Sequence, residues 1–228
     1  MSLQILERTV DRVMLIDDDE AVRQMYRYPV EDLDLIPQEV DGPIRQVDDF
    51  LESLSRRHDA VVCDYHLTVK NYSPVDGDVI VAKLYRRNMP AILCSRYAAV
   101  AEKVRARRRF IPVILEPQQL SDESVRDGFA VCVREFGGSF SRERRPWRTL
   151  IRIERCSQVN NEILSLGVVV PGWNPHTVIS CDVSRSENEI FSAIESTLNR
   201  GDFFRGYARV NLGCEREQDL YISEWSVD

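Results

Sequence analysis

Between residues 11 and 136, short apolar runs alternate with stretches whose apolar residues recur at helical spacing. Residues 12–16, 33–40, 60–63, 91–94 and 112–115 are the strand candidates, and most are apolar enough to be covered on both faces. Between them, Val22, Met25 and Tyr26, then Val47, Phe50, Leu51 and Leu54, then Val79, Ile80, Ala82 and Leu84 follow the i, i+3, i+4 rule of helices docking on a sheet. A shorter, more basic helix is predicted over residues 98–107 and a fifth over 121–136. Ser121 is placed to cap the fifth helix and Gly137-Gly138 to stop it. This alternation predicts an α/β domain with five parallel strands wound on both sides by helices.

The pattern then changes. Residues 139–148 hold Arg142, Arg144, Arg145 and Arg148 with Pro146, a composition suited to a solvated basic linker. Beyond it, residues 147–155, 163–170 and 177–183 are predicted strands. Ser186-Glu187-Asn188-Glu189 has the form of a capping box opening a helix with Ile190, Phe191, Ile194 and Leu198, ended by Gly201. Strands over 207–212 and 220–225 follow. The order βββαββ predicts a small α+β domain in which one helix covers one face of a mostly antiparallel sheet. The expected organisation is a first domain over 1–138, a linker over 139–148 and a second domain over 149–228.

A chain of 228 residues with 43% apolar content can build two modest cores. Its apolar runs fall far short of the roughly 20 residues of a membrane span, and its amino end lacks a basic-then-apolar leader, so a soluble cytoplasmic protein is expected. The six cysteines are widely spaced without a C-x-x-C pair and are expected to be reduced core thiols. A net charge of −7 disfavours general binding to nucleic acid. No helix-turn-helix or aromatic-studded basic sheet is legible, and nucleic acid is not an expected partner. Arg105, Arg107, Arg108 and Arg109, with the run from Arg142 to Arg155, are expected to be solvated faces or a dock for an acidic protein.

Candidate chemistry lies where strands of a parallel sheet end. Asp17, Asp18 and Asp19 follow the first strand, Asp64 the third, Ser95 the fourth and Glu116-Pro117 the fifth. Asp19 is placed to cap the next helix. Carboxylates converging at one edge repel, and a hard divalent cation, usually magnesium, neutralises them. Asp17, Asp18 and Asp64 are the expected metal ligands, with Asp64 also a nucleophile. His66 is a loop residue beside this pocket, and His58 and His176 have no partner spacing. In the second domain, Trp173 in Pro-Gly-Trp-Asn-Pro is read as a buried turn residue, and no enzyme signature is present.

These residues resemble the receiver domains of two-component response regulators, over residues 12–136. Val-Met-Leu-Ile-Asp-Asp-Asp-Glu-Ala-Val-Arg at 13–23 looks like the family's first strand and acidic pair, Asp64 in Ala-Val-Val-Cys-Asp-Tyr-His-Leu matches the phosphoacceptor, and Pro-Ala-Ile-Leu-Cys-Ser at 90–95 matches the fourth strand with its switch hydroxyl, Ser95. The resemblance implies a flavodoxin-like sheet of order 2-1-3-4-5, a magnesium ion held by Asp17, Asp18 and Asp64, and a cis bond between Glu116 and Pro117. It also implies a histidine kinase or complex subunit as partner. Dimerisation would run through the face of helix four, strand five and helix five. The second domain resembles no family.

Two departures alter what the resemblance implies. Glu116 stands where the family has a lysine that pairs with the acidic cluster and then with the phosphoryl group. A charge of −1 in place of +1 opposes phosphorylation by several kcal/mol, at roughly 4 kcal/mol per close pair for an effective dielectric near 20. The loop after Asp64 is also enlarged, with Gly77 only thirteen residues on. Lys70 in that loop, Arg96, or a second metal ion are the candidates to restore the lost cation. The expected function is that of a response-regulator-like signalling protein, not an enzyme, with a C-terminal domain that does not bind DNA. The alternative is a pseudo-receiver that acts as an adaptor without phosphorylation. A metal-dependent phosphohydrolase using Asp64 lacks the positive group that would hold the leaving oxygens.

Overall fold

The computed structural model describes residues 2–185, 191–199 and 204–226, and it divides into two compact units. The first unit comprises residues 1–97 and 110–139, and the second residues 98–109 and 140–228.

In the first unit five parallel strands, β3 (Arg12–Ile16), β4 (Ile36–Glu39), β5 (Asp59–Asp64), β6 (Ala91–Cys94) and β7 (Val113–Leu115), lie in the order β4-β3-β5-β6-β7. This is the expected order 2-1-3-4-5, and with its flanking helices the unit has a flavodoxin-like fold. The strands are short, and every residue of β6 and nearly all of β3 and β5 are buried. On one face Leu15, Val62 and Ile92 pack with Tyr26 and Val30 of α1 (Glu20–Glu31) and Val125 and Phe129 of α5 (Asp122–Phe136). Helices α2 (Val47–Ser53) and α3 (Gly77–Arg86) complete the unit. Ser121 caps α5 as expected, accepting the Ser124 amide.

The N-terminal hairpin of β1 (Leu3–Ile5) and β2 (Arg8–Val10) was not legible. Each strand has three residues, and the turn places Leu6 at φ 54° without glycine or asparagine to announce it. Ile5 and Val10 nevertheless join the core.

The second unit carries an antiparallel sheet of order β10-β9-β8-β11-β12, built from β8 (Trp147–Asn160), β9 (Ile163–Val170), β10 (Asn174–Ser184), β11 (Arg205–Val210) and β12 (Ile222–Ser226). Helix α6 (Phe191–Asn199) places Phe191 and Ile194 on one face of the sheet, against Ile151, Leu166, Ile179 and Ala208. The expected βββαββ order is therefore present, while the capping box at 186–189, Ile190 and Gly201 lie outside the described residues. Trp173 is half-buried against this core and donates to the Cys214 carbonyl at 2.8 Å. All six cysteines are free thiols, five buried and Cys156 half-buried.

The segment expected as the fourth helix of the first domain belongs to the second unit. Helix α4 (Tyr97–Val104) runs into a stretch where Ala106 packs on the second core. Arg105, at 2% exposure, has Nη1 3.8 Å from Glu217 Oε1, and Arg109 Nε lies 3.8 Å from Glu224 Oε2. Arginine stems bury readily along apolar surface when their heads find carboxylates, so this run is not the solvated face expected of it. Residues 140–148 also differ from a solvated linker. Arg144 donates to the Arg108 and Arg109 carbonyls at 3.2 and 2.9 Å, and β8 begins at Trp147.

Candidate functional site

The acidic residues are brought together by register. Ile16 pairs with Cys63, Asp64 with Cys94 and Cys94 with Leu115, so Asp17, Asp64 and Ser95 emerge side by side at the carboxyl edge of neighbouring strands. Parallel strands leave their terminal amides to loops and helix starts there. Asp19 caps α1 as expected, its Oδ1 accepting the Ala21 amide at 2.9 Å. Ser95 is buried and its own amide donates to the Leu115 carbonyl at 2.9 Å.

Asp17, at 4% exposure, accepts the Asp19 amide on Oδ1 at 2.8 Å and the Tyr26 hydroxyl on Oδ2 at 3.2 Å. Burial, helped by the charges of Asp64 and Asp18, pushes its pKa up to about 6 despite these two bonds. Asp64 accepts the His66 amide on Oδ2 at 2.6 Å, and burial raises its pKa too, with a smaller contribution from Asp18. Tyr26 and the buried Arg23, whose Nη1 donates to the Asp17 carbonyl at 2.8 Å, support the pocket floor. Neither was singled out from the sequence for this role. Tyr26 was assigned only to the core face of its helix, and nothing in its spacing announced the phenol under Asp17.

The enlarged loop after Asp64 is pinned at both ends. Leu67 and Tyr72 are buried, and the Tyr72 hydroxyl donates to the Val40 carbonyl. The Thr68 hydroxyl donates to Asp76 Oδ1 at 2.7 Å and Ser73 N–H to the Leu67 carbonyl at 3.1 Å. A turn from Thr68 to Asn71, the latter at φ 56°, lies between these anchors. It presents Lys70, whose Nζ stands 3.3 Å from Asp18 Oδ1 and 3.7 Å from Asp19 Oδ2. The hydrogen bond to Asp18 raises the pKa of the ammonium. The loop closes on α3 through Gly77, whose amide donates to the Tyr65 carbonyl at 2.8 Å; a Cβ there would sit 1.8 Å from the Asp64 carbonyl oxygen.

Glu116 lies in a turn of its own. Its amide donates to Gln119 Oε1 at 2.9 Å and its carboxylate accepts the Gln118 side chain. The Glu116–Pro117 bond is trans, against expectation, and Gly42–Pro43 is the cis bond among the described residues. Pro117 opens a single 3-10 turn from an extended Glu116, a position that suits its fixed φ without the other isomer.

Among the described residues no three His, Cys, Asp or Glu side chains converge closely enough to hold a metal ion. Both Asp17 oxygens and one of Asp64 already accept protein donors, and Asp18 faces an ammonium. Asp17, Asp18 and Asp64 thus share an edge without forming a metal-ligand set in this arrangement. Among the described residues Lys70 is the cation paired with the Asp18 carboxylate, Arg23 lies beneath the pocket on the Asp17 backbone carbonyl, and Arg96 is exposed. No helix among the described residues is long and apolar enough to cross a membrane.

No protein-family model matches the chain, and no curated protein matches it. Among solved structures it is similar to a response regulator receiver domain protein from Clostridium thermocellum, at 12% identity and a TM-score of 0.44, over 56% of this chain and 98% of that one. A putative response regulator from Chloroflexus aurantiacus is similar at 16% identity and a TM-score of 0.40, over 53% and 98%. An uncharacterised protein from Neptuniibacter caesariensis is similar at 16% identity and a TM-score of 0.44, over 55% and 92%. These are likenesses of fold, and they cover about 55% of the chain and leave the rest unassigned.

Proposed function

We propose that the chain is a response-regulator-like signalling protein in which Asp64 is the phosphoacceptor and Lys70 supplies the cation that the strand-five position lacks. The observation that carries this reading is the 3.3 Å pair of Lys70 and Asp18 beside Asp17, Asp64 and Ser95. In the step, an Asp64 carboxylate oxygen forms a bond to phosphorus of an acyl phosphate or phosphohistidine. The donor's bond to phosphorus breaks, and its electron pair leaves with the acyl oxygen or imidazole. The phosphoryl group adds nearly two negative charges, so an ammonium at the pocket rim stabilises the product. Ser95 is the hydroxyl that would report the modification. A histidine kinase is the expected partner class, and the second unit is an output or assembly domain without catalysis.

A second reading, a pseudo-receiver adaptor that works without phosphorylation, is favoured by Glu116 and by carboxylates already bonded to protein donors. Incubation with acetyl phosphate, with and without magnesium, followed by intact-mass measurement separates the two. An adduct of one phosphoryl group, lost in Asp64→Asn, supports the first. No adduct over hours, in a folded protein, supports the second.

A further inference from the structure

Arg148, Arg152, Arg155, Arg205 and Arg209, drawn from two segments far apart in sequence, share one sheet face. In β8 and β11 the paired positions are Arg148 with Arg209, Leu150 with Tyr207 and Arg152 with Arg205. The alternate residues Ile151, Ile153, Ala208 and Val210 fill the core with α6, so these three pairs point away from it. Arg155 joins the same face beyond a bulge, since it pairs with Gly167 and its side chain lies against the position a Cβ of Gly167 would take. Arg148, Arg155, Arg205 and Arg209 are exposed, and Arg152 is half-exposed.

Five guanidinium groups therefore cover the two central strands and their border with β9. Among the described residues, acids on or beside this face include Glu154, paired with Arg152, Asp182 on the outer strand, and Glu224, exposed on β12 beside β11. In the middle Arg148 lies over the Tyr207 ring, 3.7 Å from its centroid, with Leu150 alongside and 41% exposed. On a chain of net charge −7 with thirty lysines and arginines, five arginines thus form one local basic patch with a stacked centre.

We propose that this sheet face binds single-stranded nucleic acid. Planar guanidinium forks match phosphate oxygens in pairs, and all five cations are arginine. A stacked guanidinium on a tyrosine is a platform on which a base can lie, a mode shared by sheets that bind single strands. A duplex groove takes a helix or a two-stranded ribbon, and a five-stranded sheet face is too broad for it. An acidic protein segment would use the charges and leave the platform idle. The whole-chain charge argued against nucleic acid because it averages over the surface, and the arginines of β8 were assigned to a linker run.

The test is fluorescence anisotropy of a labelled 20-nucleotide oligothymidylate with the full chain at several salt concentrations. The expected result is saturable binding whose logarithm falls with log salt at a slope of roughly −3, for four to five phosphate contacts at about −0.7 each. The double variant Arg205→Glu/Arg209→Glu, on exposed positions, should weaken binding at least tenfold with an unchanged circular dichroism spectrum. Tyr207→Leu, which keeps the apolar volume, should weaken it at least threefold with the salt slope retained. Absence of binding at 50 μM protein and about 0.1 M salt overturns the proposal. So does binding that ignores either variant, or displacement by polyglutamate as effective as by unlabelled oligothymidylate, which would mark an acidic-protein surface.

Discussion

Lys70 Nζ lies 3.3 Å from Asp18 Oδ1, although the two residues are separated by two strands, two helices and part of a loop. The contact exists because the loop after Asp64 is anchored by Leu67 and Tyr72 and not left to solvent. It returns a positive charge to an acidic edge by a different route from that of the family this unit resembles. An exposed pair of this kind contributes little to stability, so its effect should be seen in chemistry.

Lys70→Met is therefore expected to lower phosphodonor uptake on Asp64 at least tenfold while leaving stability within about 0.5 kcal/mol, as befits an exposed side chain. Lys70→Arg, which keeps the charge, should recover most of the loss. Intact mass against time measures the uptake and urea unfolding measures the stability. Equal uptake by wild type and Lys70→Met would remove Lys70 from the mechanism.

Asp17 predicts a pH dependence with a definite sign. Its folded pKa is raised from 3.8 to about 6, chiefly by burial, so the fold prefers the protonated acid. The contribution from this group is fully present below about pH 4 and is lost as pH rises through 6. Asp17→Asn, neutral at every pH, with an oxygen that can accept the Asp19 amide and an NH2 that can donate to the Tyr26 hydroxyl oxygen, should unfold at a higher urea concentration than wild type at pH 7.5. The difference should shrink toward pH 4. A constant difference across that range would mean that Asp17 does not titrate differently in the fold.

Gly77→Ala should destabilise by about 1–3 kcal/mol, the range for forcing extra volume into a packed site. The added carbon would meet a backbone oxygen, which cannot rotate away as a side chain does. Because that oxygen belongs to Asp64, the same variant should also slow phosphoryl uptake. A shift in the urea midpoint alone would show that the strand end gives way without moving the carboxylate.

Strands β3, β5 and β6 and the carboxyl-edge placement of Asp17, Asp64 and Ser95 were legible because these buried strands are almost uniformly apolar and their ends are marked by abrupt polarity, whereas β4, with Pro37, Gln38 and Glu39, carries a much weaker signal. Periodicity could not say which core a helix joins. Helix α4 and Arg105 have the spacing of a sheet-docking helix, yet they pack in the second unit. Nor could arginines spaced along β8 and β11 be seen as one surface before strand pairing set Arg148 beside Arg209 and Arg152 beside Arg205. The Lys70 contact was one of three open choices, since a ten-residue loop has many ways to close and only its buried anchors select one.

Glu116→Lys gives the last test, and it works best in combination. The substitution changes the local charge by two units next to the end of β7, where a close ion pair is worth roughly 4 kcal/mol at an effective dielectric near 20. Its backbone bond to Gln119 does not depend on the side chain, so the turn should persist. Phosphoryl uptake on Asp64 is expected to rise at least tenfold over wild type. If Lys70 and the strand-five position serve the same oxygens, Glu116→Lys should also restore uptake to Lys70→Met, and the two substitutions together should be far from additive. Additive effects would mean that the two cations act at different places, with Lys70 holding Asp18 and a lysine at 116 meeting the phosphoryl group. If wild type and Glu116→Lys take up phosphate equally well, the charge at 116 lies too far from Asp64 to matter.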